Sequence, residues 1–426
     1  MKNSKIAGLK LLILGGSVNE VPLVQRAKEL GVYTIVADYF TDRLISPAKN
    51  LADEVWDENW MDVDRMAQLC LEAGVEGITA GYSEVKIDYL IQLCQKLNLP
   101  CYSTAEQLEI TRDKVKFKEE CRRCSVPTVR EYNCPDEVDE YPVIVKPVDR
   151  GGSIGISIAS NRQELDTAYA YAMEMSYKNQ VIIEKYMTCR KVDIYYAVED
   201  GVVTPITTCD VVMSEKNGLE RVVQNAWLYP HNKEKNLLEK EDRHLRSMIQ
   251  DMGIRYGCIF FSGFIDKTDN YTFFECGFRT EGGHQHEYVR RRGYYNYLDL
   301  FIHHALLGTT KYMDRAPELH PALKLLTVNY YAKSGIIAKI NGFDTVRKLP
   351  ECTLSLLTSH IGEKCDEERA ILAKIGMISI ADEDAAALQE KVLWATQQID
   401  VRDKDGHSMI YDVFNPTAAD VAHWWD

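Results

Sequence analysis

The first 110 residues alternate two hydrophobic periodicities. Apolar runs of strand length at Leu9 to Leu14, Tyr33 to Ala37 and Ile78 to Ala80 are separated by segments with helical spacing, Val21 to Leu30, Met66 to Glu72 and Val85 to Leu97. Strands that read as continuous apolar runs and are joined through helices pack as a parallel sheet covered on both faces. The pattern predicts a βαβαβ unit.

From Arg112 onward the rhythm changes. A charged helix over Asp113 to Arg123 leads through Val126-Pro127 to a strand at Val143 to Lys146. A glycine-rich turn, a helix near Gln163 to Met175 and a strand over Val181 to Glu184 follow. The stretch from Asp193 to Asp210 reads as paired strands around the turn Glu199-Asp200-Gly201. A helix over Lys233 to Met252 precedes strands at Cys258 to Ile265 and Tyr271 to Cys276, and a helix spans Tyr297 to Leu307. Short runs at Val328 to Ala332, Gly335 to Asn341 and Leu354 to Leu357 predict a β-rich closing subdomain. A chain of 426 residues suits two or three domains.

Composition narrows the class. With 46% hydrophobic and 27% charged residues the chain reads as a soluble globular protein. No apolar run approaches the roughly 20 residues that span a bilayer. The N-terminal run ends in Gly15-Gly16 and reads as a buried strand and its turn rather than a secretion signal, so the expected location is cytoplasmic. A formal charge of −14 argues against a nucleic-acid partner. Twelve cysteines are scattered without pairing rhythm, and the lone C-x-x-C of Cys121 and Cys124 closes a charged helix. Reduced structural thiols fit this better than zinc or redox chemistry. Gly15-Gly16-Ser17 sits where a dinucleotide fingerprint would, but G-x-G-x-x-G is absent, and Asp38 alone does not make an NAD site.

Three strings carry candidate chemistry. In VIVKPVDRGGSIGI a strand delivers Lys146 to its end, and Gly151, Gly152, Ser153 and Gly155 form a loop. Glycines let backbone N–H groups point at phosphate oxygens, and the lysine adds a point charge. The lysine precedes the glycines and no G-K-[ST] follows, so this is not a P-loop. In VIIEKYM an apolar strand runs into Glu184, Lys185, Tyr186 and Met187, where backbone groups suit an adenine edge. In FFECGFRTEGG, Glu275 suits Mg²⁺ or Mn²⁺, hard cations that prefer oxygen. Arg279 follows as a bidentate clamp, and Gly282-Gly283 permits close approach of a substrate. The following Glu281-Gly-Gly-His284-Gln-His286-Glu287 run, with Arg290 to Arg292, is a candidate for acceptor or carboxylate recognition. Its H-x-H-E lacks a third well-spaced zinc ligand.

In this order and spacing, Lys114, Lys146, the glycine loop, Glu184, Asp193, Glu275 and Arg279 resemble the ATP-grasp enzymes. The resemblance covers most of the chain and is greatest to carbamoyl-phosphate-synthase-like proteins, biotin carboxylase relatives and amino acid ligases. It implies a fold of mixed α/β and α+β class: a parallel pre-ATP-grasp domain over residues 1–112, a two-lobed ATP-grasp domain over 113–310 with a lid lobe about 118–188, and a β-rich C-terminal subdomain over 311–426. It implies that Lys114 and Lys146 contact ATP phosphates, that the loop Gly151 to Gly155 closes over them, and that Glu184, Lys185, Tyr186 and Met187 line the adenine pocket. Asp193 falls near the position that holds the ribose hydroxyls, and Arg279 stabilises an acyl phosphate or its substrate. Glu275 binds the metal; Gly277 replaces the usual asparagine ligand, Ser262-Gly263 stands where an upstream acid is expected, and Asp266 is the nearest substitute. Gly282, Gly283 and His284 face the substrate. The implied activity is Mg-ATP-dependent ligation of a small carboxylate to an amine, in a homodimer away from membranes. A phosphoribosylglycinamide-synthetase-like purine enzyme and an ATP-binding module without catalysis are the alternatives.

Overall fold

In the computed structural model the described residues are 5–150, 154–216, 219–313, 320–367 and 373–426. The N-terminal part is a parallel sheet of β1 (Lys10–Leu14), β2 (Tyr33–Ala37), β3 (Glu54–Trp56) and β4 (Gly77–Thr79), in the order β3-β2-β1-β4. Helices α1 (Val21–Glu29), α2 (Val63–Ala73) and α3 (Glu84–Leu97) alternate with the strands. β1 is buried from Leu11 to Leu14, as a strand covered on both faces must be. The turn after it is held by Asp38, whose carboxylate accepts from the Gly16 N–H at 2.6 Å and the Phe40 N–H at 3.1 Å. Asp38 is therefore a brace for the Gly15-Gly16 turn.

Two helices lead to the next part. α4 (Ala105–Arg112) starts in a capping box between Thr104 and Gln107, and α5 (Lys114–Arg123) is capped by Asp113. A small antiparallel sheet follows, of β5 (Glu131–Tyr132), β6 (Val143–Pro147), β7 (Ser157–Ala159) and β8 (Val181–Lys185), ordered β5-β8-β6-β7. α6 (Arg162–Met175) covers one face, packing Leu165, Ala168 and Ala172 with Val143, Val145 and Ile183 in a core of their own.

The rest of the chain builds one large antiparallel sheet. Its strands are β9 (Arg190–Glu199), β10 (Val202–Lys216), β11 (Leu219–Tyr229), β12 (Tyr256–Ile265), β13 (Tyr271–Gly277) and β14 (Lys324–Ala332), with α7 (Glu234–Asp251), α8 (His286–Arg291) and α9 (Tyr297–Leu307) between them. Beyond β14, β15 (Gly335–Ile336) pairs with β18 (Lys364–Cys365), and β16 (Lys339–Asn341) with β20 (Asp400–Arg402). α10 (Phe343–Val346), β17 (Cys352–Leu357), β19 (Lys374–Asp382) and α11 (Ala385–Gln398) complete the set. The sheet runs β13-β12-β9-β10-β11-β14-β19-β17. The strands after residue 320 thus extend the same sheet that carries β12 and β13. One face of the sheet joins the N-terminal core, and the other packs Leu326, Val328, Ile378 and Ile380 against Leu388 and Val392 of α11. Among the described residues, no helix is long and apolar enough to cross a membrane.

Candidate active site

The site lies where the small sheet, the large sheet and the N-terminus of α5 meet. β8 carries Glu184, whose side chain is 2% exposed and forms ion pairs with Lys146 of β6 and Lys118 of α5. Burial alone would raise the Glu184 carboxyl, but the two lysines outweigh it and hold it below the usual carboxylate range. Lys118 also reaches Glu131 at 2.9 Å and donates to the Val129 carbonyl at 3.1 Å. This second lysine was not singled out from the sequence; it sits four residues after Lys114, one helical turn on, which was the available signal.

Lys114, first residue of α5, donates to the Arg150 carbonyl at 3.0 Å and so ties the helix to the loop leaving β6. Burial and the nearby Lys146 pull its ammonium down, while the charges of Glu275, Glu184 and Glu84 oppose them. Lys114, Lys146, Glu184 and Glu275 therefore share one electrostatic neighbourhood. Gly155 has φ +77°, and a Cβ there would come within 2.6 Å of Pro147. Gly151, Gly152 and Ser153 lie outside the described residues.

At the strand end after Glu184, part of the expected adenine-facing backbone is already engaged. The Lys185 N–H donates to the Arg130 carbonyl and the Tyr186 N–H to the Pro142 carbonyl, both at 3.0 Å. The Lys185 ammonium reaches Glu140 at 3.1 Å. Met187, partly buried, lies beyond these pairings, between the small and large sheets.

The acids are arranged by strand register. Asp193 of β9 opposes Ser262 of β12, and Ser262 opposes Glu275 of β13. Directly opposed residues of antiparallel strands share a face, so the three form a row. Asp193, expected at a ribose, is buried and accepts from the Tyr195 hydroxyl at 3.3 Å, within the fields of Glu281 and Glu275. Burial and those two charges push it up to about 7, against the hydrogen bond from Ser262. Asp266 does not join the row. It caps the β12–β13 hairpin, accepting from the Thr268 N–H and hydroxyl at 2.8 and 2.7 Å and from the Asn270 N–H and side chain at 3.0 and 3.2 Å. These bonds hold it down at about 2. The four residues from Ser262 to Asp266 span about 13 Å of strand.

The two departures from the resemblance have packing causes. A Cβ at Gly277 would lie 2.5 Å from the Phe260 ring, so an asparagine has no room there. That ring also packs against Tyr195, with centroids 6.0 Å apart, and carries the Arg279 guanidinium 5.2 Å from its centroid. Arg279 also pairs with Glu84 of α3 at 3.3 Å. At Gly263 a Cβ would meet the Thr272 carbonyl at 2.8 Å.

Beyond β13, Gly283 donates its N–H to Glu281 at 2.7 Å, and a Cβ on Gly283 would approach the Tyr229 hydroxyl at 3.1 Å. A Cβ on Gly282 would meet nothing within 4 Å. His284 is buried with φ 52°, bonds Asn19 through Nε2 at 3.3 Å and stacks on Tyr82. Burial and His286 keep its imidazole neutral, well below the ordinary histidine range. The arginine run is engaged in its own surroundings: Arg290 and Arg291 pair with Glu287, and Arg292 pairs with Glu234. Cys121 and Cys124 are free and buried, their thiols pushed up to about 12 and about 11 by burial.

The comparisons with known proteins bear on the family and the fold. The family described as D-ala D-ala ligase C-terminus matches residues 126–218, which span β5 to β10. The 2-oxoglutarate carboxylase small subunit of Hydrogenobacter thermophilus is 27% identical over 200 residues, 42% of each chain. The formate-dependent phosphoribosylglycinamide formyltransferase of Sulfurisphaera tokodaii is 22% identical over 260 residues, 57% of this chain and 64% of that one. The matches thus span about half the length of these curated relatives. In fold, the L-amino acid ligase of Bacillus licheniformis superposes with a TM-score of 0.76 at 17% identity, covering 93% of this chain and 99% of the other. Phosphoribosylglycinamide synthetase of Anaerococcus prevotii gives 0.73 at 19% identity, over 93% and 100%. With its parallel N-terminal sheet and its small and large antiparallel sheets, the chain has the fold of these structures, and over residues 126–218 it resembles the ATP-grasp ligases.

Proposed function

We propose that the chain is an ADP-forming ligase that joins a small carboxylate to an amine at the expense of ATP. The observation that carries this is the convergence of Lys114, Lys146 and Glu184 with Glu275 and Asp193 at the meeting of the two antiparallel sheets. Lysines at the end of β6 and the start of α5 are placed to take up the charge that develops as the γ-phosphoryl moves to a carboxylate oxygen. Release from Glu184, or a shared bond with it, frees Lys146 for this. Lys118 keeps Glu184 compensated meanwhile.

The residues fit a hard divalent cation, Mg²⁺ or Mn²⁺, with a changed donor set. Glu275 would hold it, and Asp193, in register across Ser262, is the acid this chain offers in place of the missing upstream one. When bound, such an ion supplies positive charge to the phosphate oxygens. Arg279, braced by Glu84 and Phe260, is the clamp for the reacting acyl group. The amine then attacks the acyl carbon, the carbon–oxygen bond to phosphate breaks, and phosphate leaves as the amine sheds its proton. Met187 and the Lys185 carbonyl are the remaining adenine-facing groups of the strand end.

We propose residues 1–112, 113–310 with a lid lobe about 118–188, and 311–426 as the working units. A homodimer is the assembly in this reading, as the H. thermophilus biotin carboxylase domain is a dimer. A reducing cytoplasm suits the free cysteines. The test is phosphate release from Mg-ATP across a matrix of carboxylates and amines. Release only when both are present supports the ligase, and Lys146→Ala abolishes it while leaving the fold intact. Turnover restricted to a ribose-phosphate amine marks a purine enzyme. Nucleotide binding with no turnover anywhere marks a module without catalysis.

A further inference from the structure

The sheet face that carries Asp193 and Glu275 continues past β9 into a region that phosphoryl transfer does not use. Trp227 of β11 opposes Thr327 of β14, which opposes Ser379 of β19. Farther along, Asn329 opposes Met377, and past a bulge Tyr331 opposes Lys374. The Lys374 ammonium lies 5.7 Å from the centroid of the Trp227 ring and donates to the Met377 sulfur at 3.4 Å. A thioether is a weak acceptor for an ammonium. Among the described residues, no carboxylate makes an ion pair with Lys374. The acid whose field reaches it is Glu281, which in turn accepts from the Gly283 N–H.

Around this separated pair of charges the polar atoms are unfinished. Trp227 Nε1, Asn329 Oδ1 and His284 Nδ1 belong to side chains at least nine-tenths buried and have no hydrogen-bond partner. Buried polar atoms are nearly always paired, and leaving one unpaired costs about 1–3 kcal/mol. Burial pulls the Lys374 ammonium down to about 8 and pushes the Glu281 carboxyl up, the latter against the Gly283 N–H and the fields of Arg279 and Lys374.

We propose that Lys374 and Glu281 form the acceptor subsite and that its ligand is a small zwitterion, an α-amino acid. Its carboxylate pairs with Lys374, its ammonium faces Glu281, and its side chain lies along Trp227. A plain amine leaves Lys374 unpaired, and a dianion sets a negative group against Glu281. With Arg279 given over to the reacting acyl group, Lys374 and Glu281 select a ligand carrying one negative and one positive group. The word acceptor rests on the ligase reading; the binding claim does not.

The experiment titrates the full chain, with MgADP present, against each of the twenty proteinogenic L-amino acids and their decarboxylated amines. Ribose 5-phosphate is included, and binding is followed by calorimetry and tryptophan emission. At least one amino acid binds, its amine binds at least tenfold more weakly, and the emission change disappears in Trp227→Phe. Lys374→Met weakens amino acid binding at least tenfold while the Kd for MgADP, the check on folding, stays within twofold. Lys374→Arg retains most of the affinity. Equal affinity for amine and amino acid, unchanged binding in Lys374→Met, preferential binding of ribose 5-phosphate, or no binding by any of the twenty each overturns the subsite. Amino acid binding without phosphate release in any pairing upholds the subsite and removes the ligase.

Discussion

Glu184 is the residue on which the candidate site is balanced. One buried carboxylate compensates two lysines, Lys118 with a side chain 1% exposed and Lys146 at 10%. Removing one member of a buried ion network strands the others. Glu184→Gln is expected to lower unfolding free energy by about 3–5 kcal/mol in urea titrations, more than an exposed Glu→Gln change. Gly277 makes the opposite point, a vacancy maintained by packing. Gly277→Asn drives a side chain into Phe260 and is expected to cost about 1–3 kcal/mol. The double change Gly277→Asn with Phe260→Ala should recover part of that loss, read as a non-additive double-mutant cycle. Of the acids flagged in the sequence, Glu275 lies in register with Ser262 and Asp193, and Asp266 is taken up by its hairpin. Proximity along the chain is a poor guide when a hairpin turn can consume a carboxylate with four bonds.

At the scale of elements, the buried helices α8 and α9 carry the pH response. His286 on α8 and His304 on α9 are both pulled down to about 4, by burial in each case. A histidine with a folded pKa below its unfolded value of about 6.5 binds protons more readily when unfolded. Stability is therefore fully present above pH 6.5 and is lost as pH falls toward 4, by up to about 3 kcal/mol per histidine. Denaturation midpoints at pH 7.0, 5.5 and 4.5 should fall less steeply for His304→Phe, which keeps an aromatic ring beside Tyr256. Lys374 on β19 acts with the same sign in a more alkaline window. Its folded pKa of about 8 lies below the ordinary lysine value, so the wild type gains stability over Lys374→Met as pH rises from about 8 to 10.5, by up to about 3 kcal/mol. Most strands and helices were legible as elements, because buried strands and amphipathic helices announce themselves by period. β11 was not, since Gln224 and Asn225 interrupt its apolar run. α11 shows helical spacing at Leu388, Val392 and Ala395, a signal passed over beside the short strands around it.

Over the whole molecule, the N-terminal sheet shares one apolar core with the large sheet, and a few side-chain bonds fix their register. Arg26 of α1 grips the buried Asp299 of α9 with two bonds at 2.6 and 2.8 Å. Gln107 of α4 bonds the Met252 and Gly253 carbonyls, and Arg279 and His284 reach Glu84 and Asn19. Arg26→Met leaves Asp299 without its partner and is expected to cost about 2–4 kcal/mol, measured by equilibrium unfolding. At the other end, Trp424 donates to Asp210 at 3.0 Å, so the C-terminal turn closes against β10.

Local structure was determined by the sequence alone: the parallel N-terminal unit from its apolar runs, and the strands that deliver Lys146 and Glu275 from theirs. These are short-range properties, set by periodicity and by residues within a turn or two of each other. Only the tertiary structure decided which distant groups meet. Strand register put Asp193 beside Ser262 and Glu275, and sheet order carried Lys374 from the last quarter of the chain onto the face that holds them. Register and strand order are long-range pairings, and no local pattern specifies which of many apolar strands will be neighbours.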